Sequence, residues 1–517
     1  MPDIIMFPSS FSFTIDLRPV AKITIAGFFI LLFSSGTKFN DQYILRSKAG
    51  SSAFTPAVTS HIMQLNGKRL AYRAKTGYLT LNDSDKNPLA NIFYTAYNAG
   101  NNSPDTTRPI TFVFNGGPGS ASIWLHMGAF GPVRAVFEND KGNAPAGDHK
   151  YGDNPYSWLD FTDLVFIDPV GTGYSQPANG VDARRFYGYQ EDIQSIAEFI
   201  RAYLADNNRQ LSPKFLAGES YGGLRAIGLA SYLQDSLEIE LAGVTLISPA
   251  LNYQLLNFGQ GNETPYSYYL PTYAVTAQYQ HQLSPQLQQL SPEQLMAKAE
   301  AFGQGTYTRF LNLGDAASPE LAAKVIDSLG YFTGLNKNYL EKVNGRIADS
   351  QFTRQLLQQA HETVGTLDSR VKGANKNNDP STANIRGLFI TAFNSYISVD
   401  LKYENRLPYQ ASTAIRGWRY GPDATNSYVN VSATLKKVMV KNPALKVNVA
   451  GGYYDLATSV GSTKYVINHL GLDKSLRNNI SVNYYPAGHM IYISNPVNAK
   501  FRKDSEKFYN NALNVKS

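Results

Sequence analysis

The 517-residue sequence contains no cysteine. Disulfide bonds, a thiolate nucleophile and cysteine-based metal sites are therefore all excluded. The composition is otherwise that of an ordinary globular protein, with 43% hydrophobic and 17% charged residues. A chain of this length accommodates one large α/β core with an inserted lid.

Long clusters of positive charge are also missing. The formal net charge is +7 at pH 7, but the sequence has no long Lys/Arg run and no basic–aromatic repeat. Nucleic-acid binding is therefore not expected. No group of His, Asp and Glu has the spacing of metal ligands, so no metal is expected. The Gly171-Thr172-Gly173 segment lacks the third glycine and the βαβ context of a nucleotide site, and no cofactor is expected.

No apolar run is long enough to cross a membrane comfortably. The N-terminal run, residues 23–33, follows Arg18 and Lys22 and precedes small residues at 34–36. This order of basic, apolar and small residues is typical of a secretory signal. Residues 1–36 are therefore predicted to be a signal peptide or a signal anchor, and the segment before Arg18 is long enough that the start codon could be misassigned. The prediction is export to the periplasm or the medium, with no stable membrane span after signal removal.

Strand-like and helix-like patterns alternate in the first half of the chain. The pattern becomes strand-like from about Ser60, and apolar residues at helical spacing predict a helix over residues 191–203. The predicted strands cover residues 69–81, 91–99, 110–114, 164–167 and 244–248. The first two predict an antiparallel start, and the alternation that follows predicts an α/β fold with a mostly parallel sheet.

Residues 251–385 differ from the rest of the chain. Apolar strand patterns disappear, Gln and Leu accumulate, and helix-start signals occur at Ser291-Pro292-Glu293 and Ser318-Pro319-Glu320. We expect a helical insertion that serves as a lid. The strand pattern returns at residues 446–450 and 481–485. The predicted division is therefore a core in two parts, residues 37–250 and 386–517, with the insertion at 251–385 between them.

Residues 214–223 contain the most informative motif. They form a short apolar strand, the turn Gly218-x-Ser220-x-Gly222, and the start of an apolar helix. This is the sequence form of a nucleophile elbow, in which a strained turn presents the serine hydroxyl above the sheet. The motif predicts Ser220 as a nucleophile.

A serine nucleophile needs a base to accept its proton and an acid to orient that base. In α/β hydrolases the order along the chain is Ser, then Asp or Glu, then His, each after a strand. Of the seven histidines, His489 follows the last predicted strand, and Asp455 follows the strand before it. The predicted triad is therefore Ser220, Asp455 and His489. The apolar strand at 110–114 ends in Asn115-Gly-Gly-Pro-Gly119, which is the expected source of an oxyanion hole.

Four segments together resemble the motifs of the serine carboxypeptidase family, in family order. They are Asn115-Gly-Gly-Pro-Gly119, Asp168-Pro-Val-Gly-Thr-Gly-Tyr-Ser175, Gly218-Glu-Ser-Tyr-Gly-Gly223 and Ala487-Gly-His489. The resemblance implies an α/β-hydrolase fold and a serine carboxypeptidase that releases C-terminal residues from peptides through an acyl-enzyme. It implies the same triad and an oxyanion hole made by the N–H groups of Gly117 and Tyr221. It also implies that Asn115 and Glu219 bind the terminal carboxylate of the substrate.

The sequence departs from the family pattern at a position that concerns Glu219. The family usually places a second glutamate two residues before the Gly-Pro that follows the first motif, and here that position is Ala129. Two facing carboxylates repel each other, so Glu219 binds a substrate carboxylate only when it is protonated. That requirement predicts a preference for acidic pH. The missing acid leaves carboxylate recognition open.

Two other classes of function remain open at this point. An esterase or an acyltransferase could use the same fold and triad, because specificity depends on the pocket. A secreted binding protein without catalytic activity is the other alternative. The predicted partners are peptide substrates, and the oligomeric state is open, with a homodimer as one option.

Overall fold

The structure is a computed structural model that describes residues 55–100, 105–144, 150–374, 379–421 and 428–514. The predicted signal segment, residues 1–36, lies outside the described residues. The prediction of a signal or anchor therefore stays a prediction.

A ten-stranded sheet forms the centre of the described chain. The strands of the described chain, including four outside this sheet, are β1 (Ala57–Leu65), β2 (Lys68–Asn82), β3 (Pro88–Ala99), β4 (Ile110–Phe114), β5 (Val133–Ala135), β6 (Tyr151–Asp153), β7 (Asp163–Ile167), β8 (Gln176–Pro177), β9 (Lys214–Glu219), β10 (Gly243–Ile247), β11 (Glu362–Val364), β12 (Lys372–Ala374), β13 (Lys446–Gly452) and β14 (Ile480–Tyr485). The sheet order is β1-β2-β3-β7-β4-β9-β10-β13-β14, and β8 pairs with β3. β5 with β6 and β11 with β12 form separate two-stranded ribbons.

The pairing divides the sheet into two regions. β1, β2 and β3 are antiparallel to one another, and β3 is antiparallel to β7. From β7 to β14 every neighbouring pair is parallel. The prediction of an antiparallel start and a mostly parallel remainder is confirmed.

Helices cover both faces of the sheet and form most of the insertion. They are α1 (Ile123–Leu125), α2 (Tyr189–Asp206), α3 (Tyr221–Ser236), α4 (Thr264–Tyr279), α5 (Pro285–Gln288), α6 (Pro292–Phe302), α7 (Thr308–Leu313), α8 (Pro319–Thr333), α9 (Lys337–Lys342), α10 (Asp349–Gln355), α11 (Pro380–Val399), α12 (Ser432–Lys441), α13 (Val460–Asn468), α14 (Lys474–Arg477) and α15 (Asn495–Ala512). Both predicted helix starts in the insertion are present, because Ser291 and Ser318 cap α6 and α8.

The region between 251 and 385 is largely helical, with α4 to α10 in succession. These helices share a cluster of buried apolar residues that also includes Tyr454 and Leu456, the two neighbours of Asp455. Two features differ from the sequence expectation. The region contains the short strands β11 and β12, and α11 runs across the expected boundary at 385. The division into domains stays a prediction.

The parallel strands end along one edge of the sheet, and the predicted site residues follow these ends. Asn115 follows β4, Ser220 follows β9, Asp455 comes shortly after β13, and His489 comes shortly after β14. In open α/β sheets, ligands bind outside the carboxyl ends of the strands. The fold therefore brings together residues that are far apart in the sequence.

None of the helices in the described ranges has the length and apolar character needed to span a bilayer.

Candidate active site

Ser220 occupies a sharp turn between β9 and α3. Its backbone has φ 60° and ψ −125°, a conformation that a non-glycine residue rarely adopts. The turn is held from the neighbouring strand, because Ser220 N–H donates to the carbonyl of Ile247 at 2.9 Å. The strand, turn and helix predicted for the elbow are all present.

Close backbone packing around the elbow requires glycine. A Cβ atom on Gly218 would lie 2.1 Å from the carbonyl oxygen of Gly222. A Cβ atom on Gly116 would lie 2.6 Å from the backbone nitrogen of Tyr221 and 2.7 Å from the carbonyl oxygen of Glu219. The glycine loop after β4 is therefore packed directly against the backbone of the elbow.

The same packing brings the predicted oxyanion-hole residues to the elbow. Tyr221 is the first residue of α3, where a backbone N–H has no partner within the helix. Gly117 adopts φ +103°, a left-handed conformation that strongly favours glycine. Free N–H groups at a helix start next to a nucleophile are suited to stabilising an oxyanion.

His489 and Asp455 form a buried pair. The distance between His489 Nδ1 and Asp455 Oδ2 is 2.7 Å. Asp455 Oδ1 accepts backbone N–H groups from Ala457 at 2.8 Å and from Thr458 at 2.9 Å. Because a carboxylate accepts hydrogen bonds and donates none, this contact favours the tautomer with the proton on Nδ1 and leaves Nε2 as the basic nitrogen.

Two hydroxyl groups that the sequence analysis missed hold this pair in place. Thr458 Oγ1 donates to Asp455 Oδ2 at 2.7 Å and lies 3.2 Å from His489 Nδ1. Ser248 Oγ donates to the carbonyl of His489 at 2.7 Å. Ser248 directly follows β10, whose last residue accepts the Ser220 N–H. The end of β10 therefore positions both the serine and the histidine.

The charges around His489 adjust its basicity. Burial alone lowers its pKa, but the charge and hydrogen bond of Asp455 and the charge of Glu219 together raise the pKa above its usual value. Within the described residues no hydrogen bond joins Ser220 Oγ to His489. Catalytic hydrogen bonds often tighten only when substrate binds.

Asn115 and Glu219 contact each other beside Ser220. Asn115 Nδ2 donates to Glu219 Oε2, and Asn115 Oδ1 accepts the N–H of Leu125 at 3.0 Å. The bond from Leu125 fixes the orientation of the amide, so that its NH₂ group faces the carboxyl group. The two residues that the resemblance assigned to carboxylate binding are therefore brought together.

Tyr492 is a third member of this group and was not predicted. Its hydroxyl lies 2.9 Å from Glu219 Oε2 and 3.2 Å from Oε1. Burial raises the pKa of Glu219 to about 7, against the opposing effects of the positive charge of His489 and the hydrogen bonds from Tyr492 and Asn115. Near neutral pH, Glu219 is therefore present in both its protonated and its ionised form.

A buried ion pair between α2 and α3 packs against the elbow. Arg225 Nε on α3 lies 2.7 Å from Asp192 Oδ2 on α2. Arg225 Nη1 also donates to the carbonyl of Asn115 at 2.5 Å, and the Tyr221 hydroxyl donates to Asp192 Oδ2 at 3.1 Å. No motif marks this pair, since each residue lies on a regular helix and the contact depends on how α2 packs on α3.

Residues 65–311 match the family model described as serine carboxypeptidase. Over these residues the chain is similar to the serine carboxypeptidase family. The serine carboxypeptidase S10 family member 2 of Dictyostelium discoideum is 30% identical over 182 residues, or 33% of this chain. The pheromone-processing carboxypeptidase KEX1 of Phytophthora infestans is 28% identical over 214 residues, or 36% of this chain. The chain spans 30% and 32% of the length of these two relatives.

The fold of this chain is similar to that of a solved carboxypeptidase. The crystal structure of KEX1(delta)p, a prohormone-processing carboxypeptidase from Saccharomyces cerevisiae, aligns with a TM-score of 0.55 and 15% identity. The alignment covers 85% of this chain and 91% of that one. At this level of identity the likeness is one of fold, and the fold is that of the α/β hydrolases.

Proposed function

We propose that this protein is a serine carboxypeptidase that removes the C-terminal residue of peptides through an acyl-enzyme. One observation supports this function over other reactions of the fold. The amide of Asn115 and the carboxyl group of Glu219 are hydrogen bonded to each other, and Glu219 directly precedes Ser220. A protonated carboxyl and an amide placed beside the nucleophile provide two donors for a substrate carboxylate.

In the proposed reaction, Ser220 Oγ attacks the scissile carbonyl carbon while His489 Nε2 takes the hydroxyl proton. Asp455 holds the opposite ring nitrogen and stabilises the imidazolium that forms. The N–H groups of Gly117 and Tyr221 donate to the oxyanion of the tetrahedral intermediate. The C–N bond then breaks, and His489 gives its proton to the departing amino group.

The second half of the reaction uses the same residues. His489 takes a proton from water, and the hydroxide formed attacks the acyl carbon. The ester bond to Ser220 breaks, and His489 returns the proton to Ser220 Oγ. The sequence of steps consumes one water and releases an amino acid and a shortened peptide.

Binding of the substrate carboxylate is linked to the basicity of His489. Ionised Glu219 raises the pKa of His489, and protonation of Glu219 removes that effect. The protonated form of Glu219 therefore favours both carboxylate binding and a neutral His489. Protonation of Glu219 alone therefore promotes both substrate binding and the neutral form of His489 that acts as the base.

The test is the release of the C-terminal residue from a blocked dipeptide between pH 4 and pH 8. The same dipeptide with an amidated C-terminus and a simple ester serve as comparison substrates. We expect the free-carboxyl dipeptide to be preferred, and Ser220→Ala to lower kcat by a factor on the order of 10⁶. Serine-dependent ester hydrolysis without release of an amino acid would favour the esterase alternative. Absence of labelling by a fluorophosphonate would favour the non-catalytic alternative.

We also propose that the protein is exported, because residues 18–36 have the basic, apolar and small-residue order of a secretory signal. N-terminal sequencing of the protein from cells tests this. A mature N-terminus shortly after residue 36 is expected for a cleaved signal peptide. Retention of Met1 in a protein recovered from the cytosol would contradict the proposal.

A further inference from the structure

The side chain of Tyr492 reaches the carboxylate-binding pair from an element that the sequence analysis did not use. It belongs to a short 3₁₀ turn, Ile491–Ile493, that lies between His489 and α15. The side chain is fully buried, and its hydroxyl group contacts both carboxyl oxygens of Glu219.

The surroundings of Tyr492 fix the position of its hydroxyl group. A Cβ atom on Gly128 would lie 2.5 Å from Tyr492 Cε2, so the ring occupies the space that a side chain at 128 would need. Arg134 Nη2 donates to the backbone carbonyl of Tyr492 at 3.0 Å, and Arg134 Nη1 donates to Asn495 Oδ1 at 2.5 Å. The tyrosine is therefore held at its ring and at its backbone.

The ring of Tyr492 lies next to the position at which this sequence departs from the family pattern. Gly128 precedes Ala129, the position at which the family pattern has an acid. The family resemblance implies that an acid at that position would be a partner of Glu219. In this chain a tyrosine that packs against the neighbouring residue supplies a hydrogen bond to the same carboxyl group.

We propose that Tyr492 is a positioning residue for recognition of the substrate carboxylate, and that its hydroxyl group orients the carboxyl group of Glu219. This role rests on the proposed function. When Glu219 is protonated, one carboxyl oxygen accepts the Tyr492 hydroxyl and the other donates its proton to the substrate carboxylate. Tyr492 thereby selects the orientation in which the acidic proton of Glu219 points at the substrate.

Unlike a carboxyl group, the hydroxyl group of Tyr492 does not change its charge in the working pH range. Burial and the charge of Glu219 raise the pKa of Tyr492 well above its usual value, so the hydroxyl stays protonated across the working range. The ionisable groups that face Glu219 are then His489, Asp455 and Tyr492, while Arg225 is nearby through its bond to the Asn115 backbone. Only Glu219 among the carboxylate-binding groups changes charge near neutral pH.

The test compares wild type with Tyr492→Phe, which keeps the ring and removes the hydroxyl. Tyr151→Phe is the matched control, because the Tyr151 hydroxyl also donates to a carboxylate, Asp400 Oδ2 at 2.7 Å, away from the site. The measurement is kcat and KM for the free-carboxyl and the amidated dipeptide between pH 5 and pH 8.

For Tyr492→Phe we expect KM for the free-carboxyl dipeptide to rise about threefold to tenfold, the range for one lost hydrogen bond. KM for the amidated dipeptide is expected to change little. The Tyr492 hydroxyl favours ionised Glu219, so its removal should also move the alkaline fall in kcat/KM to higher pH. Tyr151→Phe should show neither change.

An equal loss on both substrates, or an unchanged KM and pH profile, would overturn the role of Tyr492 while leaving the proposed function intact. A wild-type enzyme that does not distinguish the free carboxyl from the amide would overturn the proposed specificity and the role of Tyr492 together. Binding of a free amino acid product to Ser220→Ala, with and without Tyr492→Phe, provides a reading that is independent of catalysis. Weaker binding in the double variant supports the role, and equal binding contradicts it.

Discussion

At Gly116 the backbone of the elbow leaves no room for a side chain. Its nearest neighbours are backbone atoms of Glu219, Tyr221 and Gly222, none of which can move without shifting the proposed oxyanion hole. We expect Gly116→Ala to lower kcat about 100-fold or more, the usual cost of losing an oxyanion donor.

The control for this substitution is Gly387→Ala on the exposed side of α11, where a new Cβ atom meets nothing within 4 Å. It should leave kcat unchanged and slightly increase stability, since alanine is favoured over glycine in a helix. Full activity in Gly116→Ala would contradict the packing described between the glycine loop and the elbow.

The hydroxyl of Thr458 is expected to be needed for catalysis although it is not part of the proposed triad. Thr458→Val removes the donor to Asp455 Oδ2 and leaves the side-chain volume almost unchanged. Since hydrogen bonds to charged groups contribute about 1.5–3 kcal/mol, kcat should fall by roughly 10- to 100-fold. Thr458→Ser keeps a hydroxyl and should restore most of the activity. Similar activity in both variants would show that the hydroxyl does not position Asp455.

At the scale of elements, the packing of α2 on α3 depends on the Asp192–Arg225 ion pair. Both side chains are almost completely buried, and the arginine also reaches the backbone of Asn115. Removing one partner of such a pair leaves an uncompensated buried charge. We therefore expect Asp192→Ala to lower the free energy of unfolding by about 3–5 kcal/mol.

The same helix provides the control. Glu198 on α2 pairs with Arg201 at 2.7 Å, but these side chains are 38% and 55% exposed. Glu198→Ala should change the free energy of unfolding by at most about 0.5 kcal/mol. Denaturant unfolding measures the free energy of unfolding of both variants. Equal losses in Asp192→Ala and Glu198→Ala would show that the buried pair contributes no more to stability than the exposed pair.

At the scale of the whole molecule, buried carboxyl groups make stability depend on pH. Burial raises the pKa of Asp168 to about 7, against hydrogen bonds from the Ser122 N–H and the Tyr409 hydroxyl, and its Oδ2 has no partner among the described residues. The folded-state pKa is thus above the unfolded value of about 4. The stability that this group contributes is complete below about pH 4 and is lost as the pH rises toward 7.

Asp168→Asn removes this titration. The difference in unfolding free energy between the variant and wild type should therefore shift in favour of the variant as pH rises from 4 to 7, by at most about 1.4 kcal/mol per pH unit. Thermal unfolding at several pH values measures this shift. A difference that stays constant with pH would show that Asp168 does not titrate in this range.

The sequence by itself determined the α/β class and the positions of the main strands along the chain, and it predicted Ser220, Asp455 and His489 as a triad. These features are encoded locally, because a strand pattern followed by a glycine-flanked turn specifies an elbow wherever the rest of the chain goes. The helical character of the insertion is local in the same sense, since its capping residues act on the helices that they begin.

Only the tertiary structure decided which side chains support those residues. Tyr492 is separated from Glu219 by 273 positions and Asp192 from Arg225 by 33, and neither contact has a local pattern. In the sequence, Thr458 and Ser248 look like ordinary loop residues. They come close to the His489–Asp455 pair only because β10 pairs with β13 in the folded sheet. The partner of a buried polar group depends on strand order and on how helices pack, and these are properties of the whole chain.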